Sequence, residues 1–124
     1  MAALQTVRVF ATWIDDPTEC VLTIDLAKDP QTHAALGHWD VMGAVDLASQ
    51  ARRPFVLSAD GKMDFGSQTP DAERFWHTDL RKHPLIAGQK FQIEWPHNDI
   101  GHYVIEKVAV LGSKIAQERH DSID

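Results

Sequence analysis

Hydrophobic and polar residues alternate most regularly between residues 90 and 112. Single polar residues separate three apolar ones there, Phe91, Ile93 and Trp95. A period of two indicates a β-strand with one buried and one solvated face. Pro96 ends this strand because it has no amide hydrogen to donate. A second apolar run follows from Tyr103 to Leu111, so the segment predicts an antiparallel hairpin.

Two more hairpins are predicted from the same kind of pattern. In each, two β-rich runs flank a turn signal, which is Pro17 in the first and Asp60-Gly61 in the second. The predicted strands are Thr6–Ile14 and Glu19–Leu26 in the first hairpin, and Pro54–Ser58 and Lys62–Phe65 in the second. These strands are short and close together along the chain, which favours antiparallel pairing.

Residues 31–52 carry a different pattern. They are rich in alanine, leucine and methionine, contain no proline, and follow an Asp-Pro pair that suits a helix start. Their apolar positions fit helical spacing. The prediction is a short helix to Leu36, a bend near Gly37 and a second helix from Asp40 to Ala51. An alternative interpretation makes Trp39 to Leu47 a strand.

The predicted fold class is α+β. About six strands form a small antiparallel sheet or partly open barrel, with one helical hairpin packed on it. A short helical turn at Thr69–Glu73 is expected to carry Phe75 and Trp76 inward. Residues 1–112 are predicted to form a single globular domain, and residues 113–124 a polar C-terminal tail.

The charge balance bears on the kind of partner. Against 12 basic residues stand 18 acidic ones, which gives a net charge of −6. The basic residues are scattered and form no stripe, which argues against a nucleic-acid partner. An acidic surface suits a protein partner with a basic surface.

The apolar runs and the cysteine count bear on location. No apolar run approaches the roughly 20 residues of a membrane span, so no membrane association is predicted. The N-terminal residues lack the pattern of a secretory signal. The only cysteine, Cys20, is expected to be a buried, unreactive thiol in a strand. These features predict a cytoplasmic protein.

Histidine is the unusual feature of the composition, with seven residues. His77 and Asp79 would face the same side of a strand, and His102 would approach them if the last hairpin paired alongside. Imidazole and carboxylate suit a zinc or iron site, or acid–base catalysis. This supports an alternative function as a small metal-dependent or hydrolase-like enzyme. No metal or nucleophile motif accompanies these residues, so no metal, catalytic residue or cofactor is predicted.

The main functional hypothesis is a small acidic protein-binding domain, such as an inhibitor or immunity-type protein that masks a partner. Trp95 stands at the base of the last turn, and tryptophan is enriched among residues that dominate interface energy. The predicted contact residues are Glu94, Trp95, His97, Asn98, Asp99 and His102.

A second alternative is a structural subunit of a homo-oligomer or a larger assembly. In that case an exposed sheet edge, Val7–Ile14 or Tyr103–Leu111, would lie in a subunit interface, since unpaired edges invite association. The protein is expected to be either a monomer or a homodimer.

Overall fold

The structure, a computed structural model, describes residues 4–48 and 50–113. Nine β-strands account for most of this part of the chain. They are β1 (Gln5–Trp13), β2 (Cys20–Lys28), β3 (Ala35–Leu36), β4 (Val41–Leu47), β5 (Arg53–Leu57), β6 (Lys62–Asp64), β7 (Phe75–Thr78), β8 (Lys90–Glu94) and β9 (Ile100–Ser113). Three short 3₁₀ turns connect some of them, at Asp71–Glu73, Leu80–Lys82 and Pro96–Asn98.

The strands close into an antiparallel barrel. From β4 to β9 each strand pairs with the next along the chain, while β2 pairs with both β1 and β4. β1 and β9 pair with each other, with Val9 opposite Val108, and this closes the ring of eight strands. Among the strands that the structure describes, the short β3 pairs only with the end of β2. Two register shifts in the β1–β9 pairing, between Thr6 and Val7 and between Phe10 and Ala11, are bulges of the kind that help a sheet to curl.

Side chains fill most of the barrel interior. Alternate residues of each strand point inward, as the pleat requires. The largest fully buried strand side chains are Val7, Val9, Leu22, Ile24, Leu26, Leu57, Met63, Ile93, Tyr103 and Ile105. Leu80 and Leu85, both fully buried, come from the connection between β7 and β8 and close one end of the barrel.

The three predicted hairpins are confirmed, as β1–β2, β5–β6 and β8–β9. The predicted helical turn is present as the 3₁₀ turn Asp71–Glu73, and Trp76 is buried as expected. Phe75 does not point inward, since it is 37% exposed. Beyond Ser113, the predicted polar tail lies outside the described residues.

The predicted α+β class is wrong, because residues 31–52 form no helical hairpin. The described residues contain no α-helix, and this segment holds β3 and β4 instead. The alternative of a strand over 39–47 is close to the observed β4. Val41 and Val45 point into the barrel. Gly43 lies between them at an inward position, and the ring of Phe55 occupies the space that a side chain there would need. Burial against neighbouring strands therefore outweighs the helix propensity of alanine, leucine and methionine.

Closure of the barrel removes one of the two proposed edges. β1 pairs with β2 from Gln5 to Thr12 and with β9 from Gln5 to Trp13, so both of its sides are paired. β9 pairs with β1 over most of its length, but with β8 only from Ile100 to Val104. Val110 and Leu111, both about half exposed, lie in the part of β9 beyond the β8 pairing. That this part of β9 forms a subunit interface stays a prediction.

Candidate ligand-binding site

Successive barrel strands run in opposite directions, so the ends of β1, β4, β6 and β8 lie beside the starts of β2, β5, β7 and β9. We call this end of the barrel the mouth. An open cavity of about 440 Å³ occupies it. Its aromatic and apolar lining is formed by Trp13, Cys20, Leu47, Ala72, Trp76, Trp95, Pro96 and Tyr103. Its charged or titratable lining residues are Glu19, Arg53, Glu73 and His97.

Trp95 is the centre of the aromatic lining. Its ring meets those of Trp13, Trp76 and Tyr103 edge to face, with centroids 5.3, 6.3 and 6.3 Å away. Phe65 extends the cluster behind Trp76, at a centroid distance of 4.8 Å. Edge-to-face contacts of this kind hold rings in fixed orientations. The mouth is therefore lined by a fixed aromatic surface.

A glycine in β9 explains how Trp95 reaches this position. After β8 ends, the Trp95 amide donates to the carbonyl of Asp99 at 2.7 Å and folds the chain back. Gly101 then faces the barrel interior without a side chain, and a Cβ there would overlap the outer ring of the Trp95 indole. Gly101 therefore leaves the space that the indole of Trp95 fills.

Arg53 is the cation of the mouth. Its guanidinium carbon lies 4.2 Å from the ring centroid of Phe65 and 5.7 Å from that of Trp76. Nη2 donates to the backbone carbonyl of Glu73 at 3.4 Å. Among the described residues, Arg53 forms no ion pair with a carboxylate. Arginine stacked on rings in this way is held in place with its charge still available.

Trp13, which also lines the mouth, carries a donor that lacks a partner in the described part of the chain. Its indole Nε1 is buried and has no hydrogen-bond partner among the residues that the structure describes. An indole nitrogen can only donate. A buried donor without an acceptor costs free energy, so an acceptor brought to this atom would be stabilised there.

Cys20 and Tyr103 form a neutral part of the lining. The Tyr103 hydroxyl donates to the Cys20 sulfur at 3.3 Å. Burial raises the pKa of the Cys20 thiol. Burial, together with the hydrogen bond to Cys20, also raises the pKa of Tyr103. Both groups therefore stay protonated at neutral pH, as expected for the buried, unreactive thiol.

Stability is expected to fall at alkaline pH, and Cys20→Ala should weaken that fall. Both folded-state pKa values lie above the ordinary ones. As the pH rises past the ordinary thiol pKa of about 8.5, Cys20 loses its proton in the unfolded chain but keeps it in the folded one. The free energy of unfolding therefore falls with rising pH until the raised folded-state pKa is passed. Urea unfolding of both proteins at neutral and alkaline pH measures the difference. If the free energy of unfolding fell by the same amount between neutral and alkaline pH in both proteins, the thiol would make no contribution to the pH dependence.

The residues of the alternative enzyme interpretation, His77, Asp79 and His102, do not form a metal site. Within residues 4–48 and 50–113, no group of three or more His, Cys, Asp or Glu side chains could hold a metal ion. β7 ends at Thr78, so Asp79 lies outside the strand that was expected to align it with His77. Its carboxylate instead accepts a hydrogen bond from the backbone N–H of Gln92, with an N–O distance of 2.8 Å. The other carboxylate oxygen lies 3.0 Å from Nε2 of His83.

His83 is the partner of Asp79 that the sequence interpretation missed. The Gln89 side-chain nitrogen donates to the carbonyl of Lys90 at 3.0 Å and lies 3.3 Å from His83 Nδ1. Nδ1 therefore accepts, and Nε2 donates to Asp79. Both ring nitrogens are engaged, so this pair has a structural role. The four-residue spacing across a helical turn was the only indication in the sequence.

The predicted partner-contact residues lie in and beside the turn at the mouth. Trp95 is half-buried in the aromatic cluster, and His97, Asn98 and Asp99 are exposed on the rim. His97 and Asn98 both have positive φ, 68° and 65°. Glu94 and His102 are exposed on the neighbouring strands and face outward. That these residues contact another protein stays a prediction.

Comparisons with protein-family models, with curated proteins and with solved structures found no match. A separate search of the described residues for a membrane-crossing helix found none with the necessary length and apolar character.

Proposed function

We propose that this protein binds a small, mainly apolar ligand in the mouth of its barrel. The observation that carries the proposal is the cavity of about 440 Å³, lined by aromatic rings, at one end of a barrel that is otherwise filled. Ligand sites typically measure about 300–1,000 Å³ and combine apolar walls with a few polar groups. Eight-stranded barrels are wide enough to hold one small ligand.

The chemistry of the lining favours binding over catalysis. Trp13, Trp76 and Trp95 offer large rigid surfaces whose burial by a ligand is favourable. Cys20, the one thiol of the lining, is held by burial in its protonated form, which is a poor nucleophile. The mouth therefore offers shape, apolar contact and a few donors.

The neutral fluorescent probe N-phenyl-1-naphthylamine tests this function. We expect its emission to rise on binding and tryptophan emission to fall in parallel, with saturation at one site. Leu47→Trp should weaken this signal, because Leu47 lines the cavity and a larger side chain occupies part of it. Circular dichroism and melting curves check that the variant folds.

Two outcomes would overturn the proposal. One is the absence of saturable binding to the unsubstituted protein. The other is equal binding to a folded Leu47→Trp variant, because the probe would then occupy some other surface. A matched substitution outside the mouth, Met42→Trp, should leave binding unchanged, since Met42 is 69% exposed on the outer face of β4.

A further inference from the structure

We propose that the ligand of the mouth carries a carboxylate and that Arg53 binds it. This inference rests on the proposed function and adds the chemical class of the ligand. It predicts an aromatic or other apolar acid, with its body against the tryptophans and its anionic group on the guanidinium. A flat guanidinium matches a carboxylate, which can accept two parallel hydrogen bonds from it.

Arg53 is already positioned for this role. Stacking on Phe65 and Trp76 orients the guanidinium, so little side-chain entropy remains to be lost on binding. Among the described residues, the guanidinium makes one hydrogen bond, a long one of 3.4 Å from Nη2 to the backbone carbonyl of Glu73. The other N–H groups are available to a ligand. Arg52, the preceding residue, is different, because it pairs with Asp46 at 3.3 Å and does not line the mouth.

Near Arg53 the lining favours an anion over a cation. Arg53 already lies over Phe65 and Trp76, so a cationic ligand close to these rings would meet a like charge. Two carboxylates, Glu19 and Glu73, also line the mouth and oppose an anion. Glu73 is exposed to solvent, and neither carboxylate lies within ion-pair distance of Arg53.

A second donor supports the same choice. Trp13 lines the same cavity, and its buried Nε1 lacks an acceptor within the described part of the chain. Arginine and indole nitrogens both donate and never accept. A ligand that satisfies Arg53 must therefore bring acceptor atoms, and a carboxylate brings two; a turn of the indole would let one of them reach Trp13 Nε1.

The test compares three probes of nearly the same shape by isothermal titration: 2-naphthoate, neutral 2-naphthamide and cationic 2-naphthylmethylammonium. In the unsubstituted protein we expect naphthoate to bind about tenfold more tightly than naphthamide, as a charge-assisted hydrogen bond allows. The ammonium compound should bind most weakly. Arg53→Gln should reduce the ratio of naphthoate to naphthamide affinity to about one, whereas the control Arg52→Gln should preserve it.

The outcomes separate this inference from the proposed function. Naphthoate that binds no more tightly than naphthamide, or not at all, would overturn the carboxylate assignment even if N-phenyl-1-naphthylamine still binds in the mouth. A preference that survives in a folded Arg53→Gln variant would overturn the role of Arg53. Tighter binding of the ammonium compound would assign the site to cations. Failure of the neutral probe itself would instead overturn the proposed function.

Discussion

Replacing Leu85 by alanine is expected to lower the free energy of unfolding by about 3 kcal/mol, the middle of the range for large-to-small core substitutions. Leu85 is fully buried and closes the end of the barrel opposite the mouth. Its amide also donates to the carbonyl of His33 at 2.8 Å, which ties the β7–β8 connection to the β2–β3 connection. Removing the side chain leaves a cavity where these two connections meet.

The next residue provides the control. Ile86 is 38% exposed, so Ile86→Ala should cost less than about 1 kcal/mol, as substitutions near the surface usually do. Urea unfolding of both variants measures the two losses. Similar losses would show that the β7–β8 connection does not close the barrel as described.

Replacing Gly101 by alanine is expected to drive Trp95 out of the mouth and to cost about 1–3 kcal/mol, as overpacking typically does. A Cβ at position 101 would overlap the outer ring of the indole. Because Gly101 lies in a strand without positive φ, the cost comes from this contact and not from the backbone. Tryptophan emission should shift to longer wavelength as Trp95 becomes more exposed, and urea unfolding gives the loss of stability.

A double-mutant cycle isolates the cause. Phenylalanine lacks the outer ring of the indole, so in a Trp95→Phe background the Gly101→Ala substitution should cost much less than in the unsubstituted protein. If the two substitutions were simply additive, the steric relation between these residues would be refuted.

The hairpins were predictable from sequence because local chemistry determines them. In the β5–β6 hairpin, Asp60-Gly61 supplies the turn, with positive φ at Gly61. In the β8–β9 hairpin, Phe91 and Ile93 of β8 alternate with polar residues. Such signals lie within a few residues of the contacts they produce. The pairing of each hairpin therefore needed no knowledge of the rest of the fold.

β4 was not predictable in the same way. Its inward positions include Gly43, which has no side chain to mark the alternation, and its outward positions include Met42 and Ala44, which favour helices. The strand forms because β2 and β5 are available on both sides of it. That information is tertiary, and it also decides that the barrel closes.

The cavity at the mouth was harder to predict from the sequence than the strands. Its residues come from seven separate stretches of the chain, and only the alternating strand directions bring Trp13, Trp76 and Trp95 together. A usable indication existed, since Trp13 and Trp95 stand where predicted strands end. The histidines suggested an enzyme as an alternative instead, but Asp79 and His83 form hydrogen bonds with each other and with neighbouring groups.

A crystal structure of the protein with N-phenyl-1-naphthylamine would test ligand binding at the mouth most directly. We expect electron density for one probe molecule in the cavity, against the rings of Trp13, Trp76 and Trp95. Density for the probe only on another surface, with an empty mouth at a saturating concentration, would contradict it.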